Sequence, residues 1–389
     1  MGFRESSLEG LVTLPVQPTT TPPVQSVVSQ DLDYICGSLE EEFAALAGRR
    51  ILITGGAGFL GYYLVQSLVH YNKSGKGAPI AVTVFDNYAR GVPGWLTATA
   101  DKAHVELVKH DVRQPLPAGM EDFHYLIHAA SIASPKYYRK FPIETMDANV
   151  NGLRTLLDYG VAQQAKGRPI DGFLYFSSSE IYGDPPPEYI PTPETYRGNV
   201  SCTGPRACYD ESKRYGETLS VNFAQQHGLP VKTARPFNNY GPGLKITDSR
   251  VIPDFMRDVF AARDIVMYSD GSPTRTFCYI ADAVIGYFRI LIRGRPGEAY
   301  NIGVDKPEIS MTDLAGRIVA LAGEHLNYRG RVVHRRSSEQ AYLVDNPNRR
   351  CPDIGKARSE LSYEPSVNLD EGLKRSLYWY AAHQSAEEA

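Results

Sequence analysis

Tyr209 and Lys213 stand four residues apart in the run CYDESKRYGE, a spacing that puts both side chains on one face of a helix. A free tyrosine has a pKa near 10, and an ammonium beside it favours the phenolate, so the pair can take a proton from a substrate hydroxyl. Such pairs also occur by chance on exposed helices, and the weight here comes from their company. Upstream, the run FLYFSSSEIYG ends an apolar strand with Ser178 and Glu180. Ser178 can share the hydrogen bond to the reacting hydroxyl, and Glu180 falls where a sheet of parallel strands opens its ligand crevice. The bland readings are a strand-end serine capping a turn and a solvated carboxylate.

A second group of residues has the chemistry of phosphate binding. In ILITGGAGFLGYYL, Gly55, Gly58 and Gly61 fall between an apolar strand and a helix opening at Phe59 and Leu60, where missing side chains let the backbone approach a pyrophosphate. The next strand ends in Asp86-Asn87, and a carboxylate there accepts from ribose hydroxyls and repels a 2'-phosphate, favouring NAD over NADP. Arg90, close behind, works against that preference. Asp111 and Val112 in KHDVR and Ala129, Ala130 and Ser131 in IHAAS end later strands on the same edge and are expected along the cofactor. Tyr209 and Lys213 complete that set, with Lys213 on the nicotinamide ribose.

These residues need a scaffold, and the chain supplies one from Arg49 onward. Short apolar runs (ILITG, AVTVFD, VELVKHD, YLIHAA, FLYFSSS) alternate with helical segments, including Phe59 to His70 and Val150 to Gln164. The expected fold is α/β, a Rossmann-type doubly wound parallel sheet with a smaller C-terminal α/β substrate-binding domain. The sheet domain is assigned residues 49–237 with 276–306, and the second domain 238–275 with 307–382. Residues 1–48 form an extension: Val12 to Gln30, rich in Pro and Thr, is expected as an arm, and Asp31 to Ala47 as a short helix.

Composition narrows the partners. Lys and Arg number 41 against 44 Asp and Glu over 389 residues, and a net charge of -3 gives no reason to expect nucleic acid or an anionic membrane. Five cysteines without CxxC or Cys/His spacing argue against a disulfide framework and against a metal site. No apolar run approaches the roughly 20 residues of a membrane helix, and a cytoplasmic location is expected.

The runs TGGAGFLG, SSSEIYGDP, GPRACYDESKR, ARPFNNYGP, DSRVIPDF, GSPTRTFCYIAD and CPDIGKARSELSYEPSVNLDEGL together resemble the UDP-glucuronate decarboxylase branch of the extended short-chain dehydrogenases. The resemblance implies an NAD enzyme that oxidises carbon 4 of a UDP-hexuronate and releases its carboxylate, as a homodimer built from two helices per subunit. It makes Ser178, Tyr209 and Lys213 the catalytic triad, with Glu180 and Arg275 serving the step after oxidation. Arg235 is expected by the cofactor or in a structural role. Ser134, Pro135, Asn149, Ser179, Asn238, Arg250 and Tyr279 are expected around the sugar and its diphosphate. The sequence departs from the family where Gly243 stands for an arginine and where SPKYYRKFP carries Lys136, Arg139 and Phe141. Nucleotide-hexose 4,6-dehydratases and 4-epimerases use the same 4-keto intermediate, but the dehydratases carry an Asp-Glu pair where this chain has Ser179-Glu180. A dinucleotide-binding regulator without catalysis fits poorly, since every expected catalytic position is filled.

Overall fold

The computed structural model describes residues 24–100, 104–335, 344 and 346–383. Seven parallel strands form its centre: β1 (Arg50–Thr54), β2 (Ala81–Asp86), β3 (Val105–Lys109), β4 (Tyr125–His128), β5 (Gly172–Phe176), β6 (Val231–Pro236) and β7 (Ala299–Ile302). Their order across the sheet is β7-β6-β5-β4-β1-β2-β3. Chain direction therefore reverses between β1 and β4, which opens a crevice at their carboxyl ends. This is the expected doubly wound sheet.

Side-chain alternation builds a core on each face. Ile51, Ile53, Val82, Val84 and Leu174 point to one side, against Tyr63, Leu64 and Leu68 of helix Phe59–Ser74 and Val284, Tyr287 and Phe288 of helix Ile280–Arg293. Leu52, Phe85, Leu126, Phe173 and Tyr175 point to the other, against Leu153, Leu156 and Leu157 of helix Pro142–Ala165 and Phe223 of helix Ala207–His227. The first of these last two helices starts eight residues before the expected Val150, because Pro142 fits the first turn of a helix.

Beyond the main sheet, short strand pairs carry residues of the second half. Asn239–Tyr240 pairs with Cys278–Tyr279, and Thr274–Arg275 lies between Ile309–Ser310 and Arg349–Arg350. The register of the last pair sets Arg350 beside Arg275.

The N-terminal extension differs from the expected arm. Residues 12–23 lie outside the described residues, but Val24–Ser38 is one helix, followed by helix Glu40–Leu46. Val27, Asp31, Ile35 and Leu39, spaced by four, are all buried, which turns this segment toward the core. Asp31 is fully buried within that stripe and accepts from Tyr63 Oη (2.5 Å), Tyr279 Oη (2.6 Å) and Arg375 Nη1 (2.6 Å). One carboxylate thus ties the extension to the glycine-motif helix, to the strand holding Tyr279 and to the C-terminal helix Leu369–Ala382. Asp31→Ala should lower the unfolding free energy by about 3–5 kcal/mol, because it leaves two buried hydroxyls without an acceptor and removes one of the two carboxylates on Arg375, which keeps Glu371. Urea titration of the two proteins measures this, and a loss below about 1 kcal/mol would mean that the hub does not hold the extension.

Candidate active site

At the carboxyl ends of the strands lies a cavity of about 1830 Å³. Ordinary ligand pockets span roughly 300–1,000 Å³, so this one has room for a dinucleotide and a second ligand together. Gly55, at φ 72°, leaves β1 so close to β4 that an added Cβ would sit 2.6 Å from the backbone of Ala130. Gly58 caps the helix that begins at Phe59, and these residues with Leu60 line the cavity. Gly61 does not reach it: an added Cβ would meet the carbonyl of Gly56, so this glycine lets helix and turn touch backbone to backbone.

Asp86 accepts from the amides of Tyr88 (2.8 Å) and Ala57 (3.1 Å), which fastens the β2 loop to the glycine turn, and burial raises its pKa. Asn87 and Val112 line the same wall, as does Asp111, whose carboxyl is brought down to about 2 chiefly by hydrogen bonds from Arg113. Ala129, Ala130, Ser131, Ser134 and Pro135 continue the lining after β4. The glycine cradle, the helix N-terminus and the Asp86 carboxylate at the end of β2 fit NAD.

Helix Ala207–His227 brings Tyr209 and Lys213 into this cavity on one face. Lys213 Nζ donates to Phe176 O (2.8 Å) and lies 5.7 Å from the centre of the Tyr209 ring. Burial alone lowers Lys213 to about 7. Burial also pushes Tyr209 up to about 12, against the opposing hydrogen bond of Ser178. Tyr138 stacks on Tyr209 with ring centres 5.2 Å apart, and its buried hydroxyl has no hydrogen-bond partner among the described residues.

Glu180 is an ion-pair centre rather than a solvated carboxylate. Arg206 and Arg350 both donate to its Oε2, the latter at 2.5 Å. Burial would raise its pKa, but the two guanidinium groups outweigh that and bring it down to about 2. Ser178 Oγ accepts from the Glu180 amide (3.2 Å) and so fixes the turn between the two residues. Ser179, Asn238 and Arg250 also line the cavity; Asn238 holds φ 41° and donates to Thr276 O, while Arg250 pairs with Asp248 (3.0 Å).

Four of the residues expected around the ligands have protein partners of their own. Arg235 gives its guanidinium to Glu217 (2.9 and 2.5 Å), Tyr182 Oη and Glu194 O, and braces the catalytic helix instead of touching a cofactor. Tyr279 is fully buried on Asp31, away from the lining. Asn149 donates to Ser212 Oγ (2.8 Å) and supports the helix from behind. Arg275 lines the cavity, but its donors go to the carbonyls of Thr274, Pro347 and Asn348; the arginines that reach Glu180 are Arg206 and Arg350. Sequence reasoning missed those two and Tyr138. Arg206 stands three residues before Tyr209, a helical neighbour, and Arg350 one residue before the run that begins at Cys351.

Residues 51–303 match the NAD dependent epimerase/dehydratase family, and the chain belongs to it. It is similar to UDP-glucuronic acid decarboxylase 3 of Arabidopsis thaliana, 37% identical over 324 residues that cover 83% of this chain and 86% of that one. Among solved structures, an epimerase from Methanothermobacter thermautotrophicus aligns with a TM-score of 0.74 at 26% identity, over 90% of this chain and 98% of that one. The dTDP-glucose 4,6-dehydratase DesIV from Streptomyces venezuelae, determined with NAD bound, aligns with a TM-score of 0.73 at 25% identity, over 86% and 98%.

The state of Lys213 can be read from stability. The folded chain releases this proton near pH 7 and an ordinary lysine does so near 10.5. Between those values the unfolded chain binds more protons, so this group makes stability rise with pH. Without ligand, Lys213→Met should therefore flatten the rise in unfolding free energy between pH 7 and 9, by up to about 1.4 kcal/mol per pH unit. Equal slopes in the two proteins would contradict a neutral Lys213.

Proposed function

We propose that this protein oxidises carbon 4 of a UDP-hexuronate, UDP-glucuronate, and releases its carboxylate as carbon dioxide, leaving a UDP-pentose or 4-keto-pentose. The observation that carries the reading is the charge around Glu180: Arg206 and Arg350 both pair with its one carboxylate and Arg275 lines the same cavity, a surplus that suits an acidic sugar. The relatives named UDP-glucuronic acid decarboxylase support it.

When bound, NAD accepts a hydride from carbon 4 and can return it. Gly55, Gly58 and Asp86 would hold its pyrophosphate and ribose, and Lys213 its nicotinamide ribose. Tyr209 Oη takes the proton of the 4-hydroxyl, with Ser178 sharing the hydrogen bond. The resulting β-keto acid loses carbon dioxide as the bonding pair moves into the ketone, forming an enolate that takes up a proton. Ionised Glu180 accepts hydrogen bonds in this step and orients the sugar or a water, while Arg206 and Arg350 stabilise the developing negative charge. Arg275 shapes the wall beside them. The dehydratase reading lacks the Asp-Glu pair it needs, and the epimerase reading leaves Glu180 and its two arginines without a use.

The same proposal includes the division into a cofactor half and a substrate half, with the boundaries given above. It also includes a homodimer through helices Pro142–Ala165 and Ala207–His227. Ile143, Met146 and Tyr215 are exposed on these helices and Phe141 at the entry to the first, an apolar patch suited to a second copy. A cytoplasmic compartment is consistent with five free cysteines, and no helix among the described residues is long and apolar enough to cross a membrane.

Incubation with nucleotide hexuronates and neutral nucleotide hexoses, read by mass spectrometry, should show loss of carbon dioxide from the former and little change in the latter. Efficient loss of water from a hexose with the hexuronate untouched would replace the decarboxylase reading by the dehydratase one. Tyr209→Phe should cut turnover by about 10²–10⁴ while the melting temperature holds. Glu180→Gln should slow carbon dioxide release more than it weakens substrate binding. For the dimer, Ile143→Arg should shift the sedimentation coefficient to that of a single chain; an unchanged value would place the interface elsewhere.

A further inference from the structure

Arg90 and Asp248 form an ion pair between two loops that leave the sheet far apart. Arg90 follows β2, and Asp248 follows β6 and the short strand Asn239–Tyr240. In the order β6-β5-β4-β1-β2, three strands separate their origins. At about 4.8 Å per strand, those origins lie roughly 19 Å apart. Yet Arg90 Nη1 is 3.1 Å from Asp248 Oδ2. The two loops therefore arch toward each other over the carboxyl ends of β1 and β4, where the glycine turn and Ala129–Ser131 line the dinucleotide groove.

Several contacts reinforce the junction. The guanidinium of Arg90 lies over the Tyr137 ring at 5.2 Å, Lys245 Nζ donates to Arg90 O (3.3 Å), and Ser134 Oγ donates to Asp248 O (2.7 Å). Asp248 is only 5% exposed and is fixed on its other side by Arg250, whereas the Arg90 side chain is 42% exposed. One end is thus built into the wall and the other is free to let go. The pairing also occupies the arginine that stands four residues after Asp86. At Gly243, where the family resemblance leads one to expect an arginine, the Tyr62 ring fills the space, and the two guanidinium groups on Asp248 are those of Arg250 and Arg90.

We infer that the Arg90–Asp248 pair is a strap across the mouth of the groove that sets how fast NAD leaves, with Arg90 as a positioning residue. This rests on the NAD reading of the groove and not on the identity of the sugar. A strap of this kind suits a reaction in which the cofactor stays in place between its two redox steps, because escape in between would strand a ketone.

The test uses the full chain loaded with NAD and chased with excess competing nucleotide, the dissociation rate being followed by stopped-flow fluorescence. Arg90→Ala should raise that rate by about five- to tenfold with little change in the association rate. Tyr137→Leu should raise it less, and Arg90→Lys should restore part of the loss, since an ammonium can pair without the planar fork. Added salt should speed release from the unsubstituted protein and leave Arg90→Ala nearly unaffected. The melting temperature without NAD should be the same in all four, which separates a strap from a general loss of packing. Equal dissociation rates for Arg90→Ala and the unsubstituted protein, both binding NAD, would overturn the strap alone. Failure of the unsubstituted protein to bind NAD would overturn the dinucleotide reading, and the strap with it.

Discussion

The carboxylate of Glu180, held between Arg206 and Arg350, joins the parts of this molecule that must act together. Glu180 comes from the turn after β5, Arg206 from the entry to the catalytic helix and Arg350 from the outer strand that pairs with Thr274–Arg275. Removing one partner of such a buried set leaves uncompensated charge and costs about 3–5 kcal/mol, so the three elements are fixed relative to one another by the same contact that fixes the chemistry. The cost is offset by burial on both faces of the sheet, which carries the turn after β5 on a strand with every residue buried.

A second polar network does for the catalytic helix what the first does for Glu180. Arg235, at the end of β6, grips Glu217 one turn after Lys213, and reaches Tyr182 and the carbonyl of Glu194. Tyr182 passes the link to Asn301 in β7. Because Tyr182 also closes the short helix that begins at Ser179, the network spans from the turn bearing Ser178 and Glu180 to the helix bearing Tyr209 and Lys213. Distances between the base and the neighbouring carboxylate are thereby set by side chains that never enter the cavity.

This explains what could be read from the sequence. The glycine turn, the acid at the end of β2 and the Tyr209–Lys213 pair are local: their spacing along one strand, turn or helix already states their geometry. The sheet was legible for the same reason, since short apolar runs separated by amphipathic helices admit few other arrangements. Arg235 and Tyr279 lie within motifs of the right family, yet their side chains turn toward partners 18 and 248 residues away, and nothing local reveals the direction. Arg350 was hidden likewise, 170 residues from Glu180 in sequence and adjacent to it only through the pairing with Thr274–Arg275. Asp31 was obscured because a carboxylate interrupts an apolar stripe, which reads as solvent exposure until Tyr63, Tyr279 and Arg375 are seen around it.

The two shifted groups at the centre belong to one physical state. Burial lowers Lys213 to about 7 and raises Tyr209 to about 12, so in the open cavity the tyrosine stays a phenol and the lysine gives up its proton far more readily than a free amine. A neutral amine does nothing to ease ionisation of a phenol. An anion beside Lys213 reverses this, because negative charge favours the ammonium, and an ammonium 5.7 Å from the ring favours the phenolate. The two titrations are thus coupled through whatever charge the cavity takes up. In the proposed reaction, negative charge beside Lys213 thus makes Tyr209 the better proton acceptor, so that binding and proton removal act on the same pair of residues.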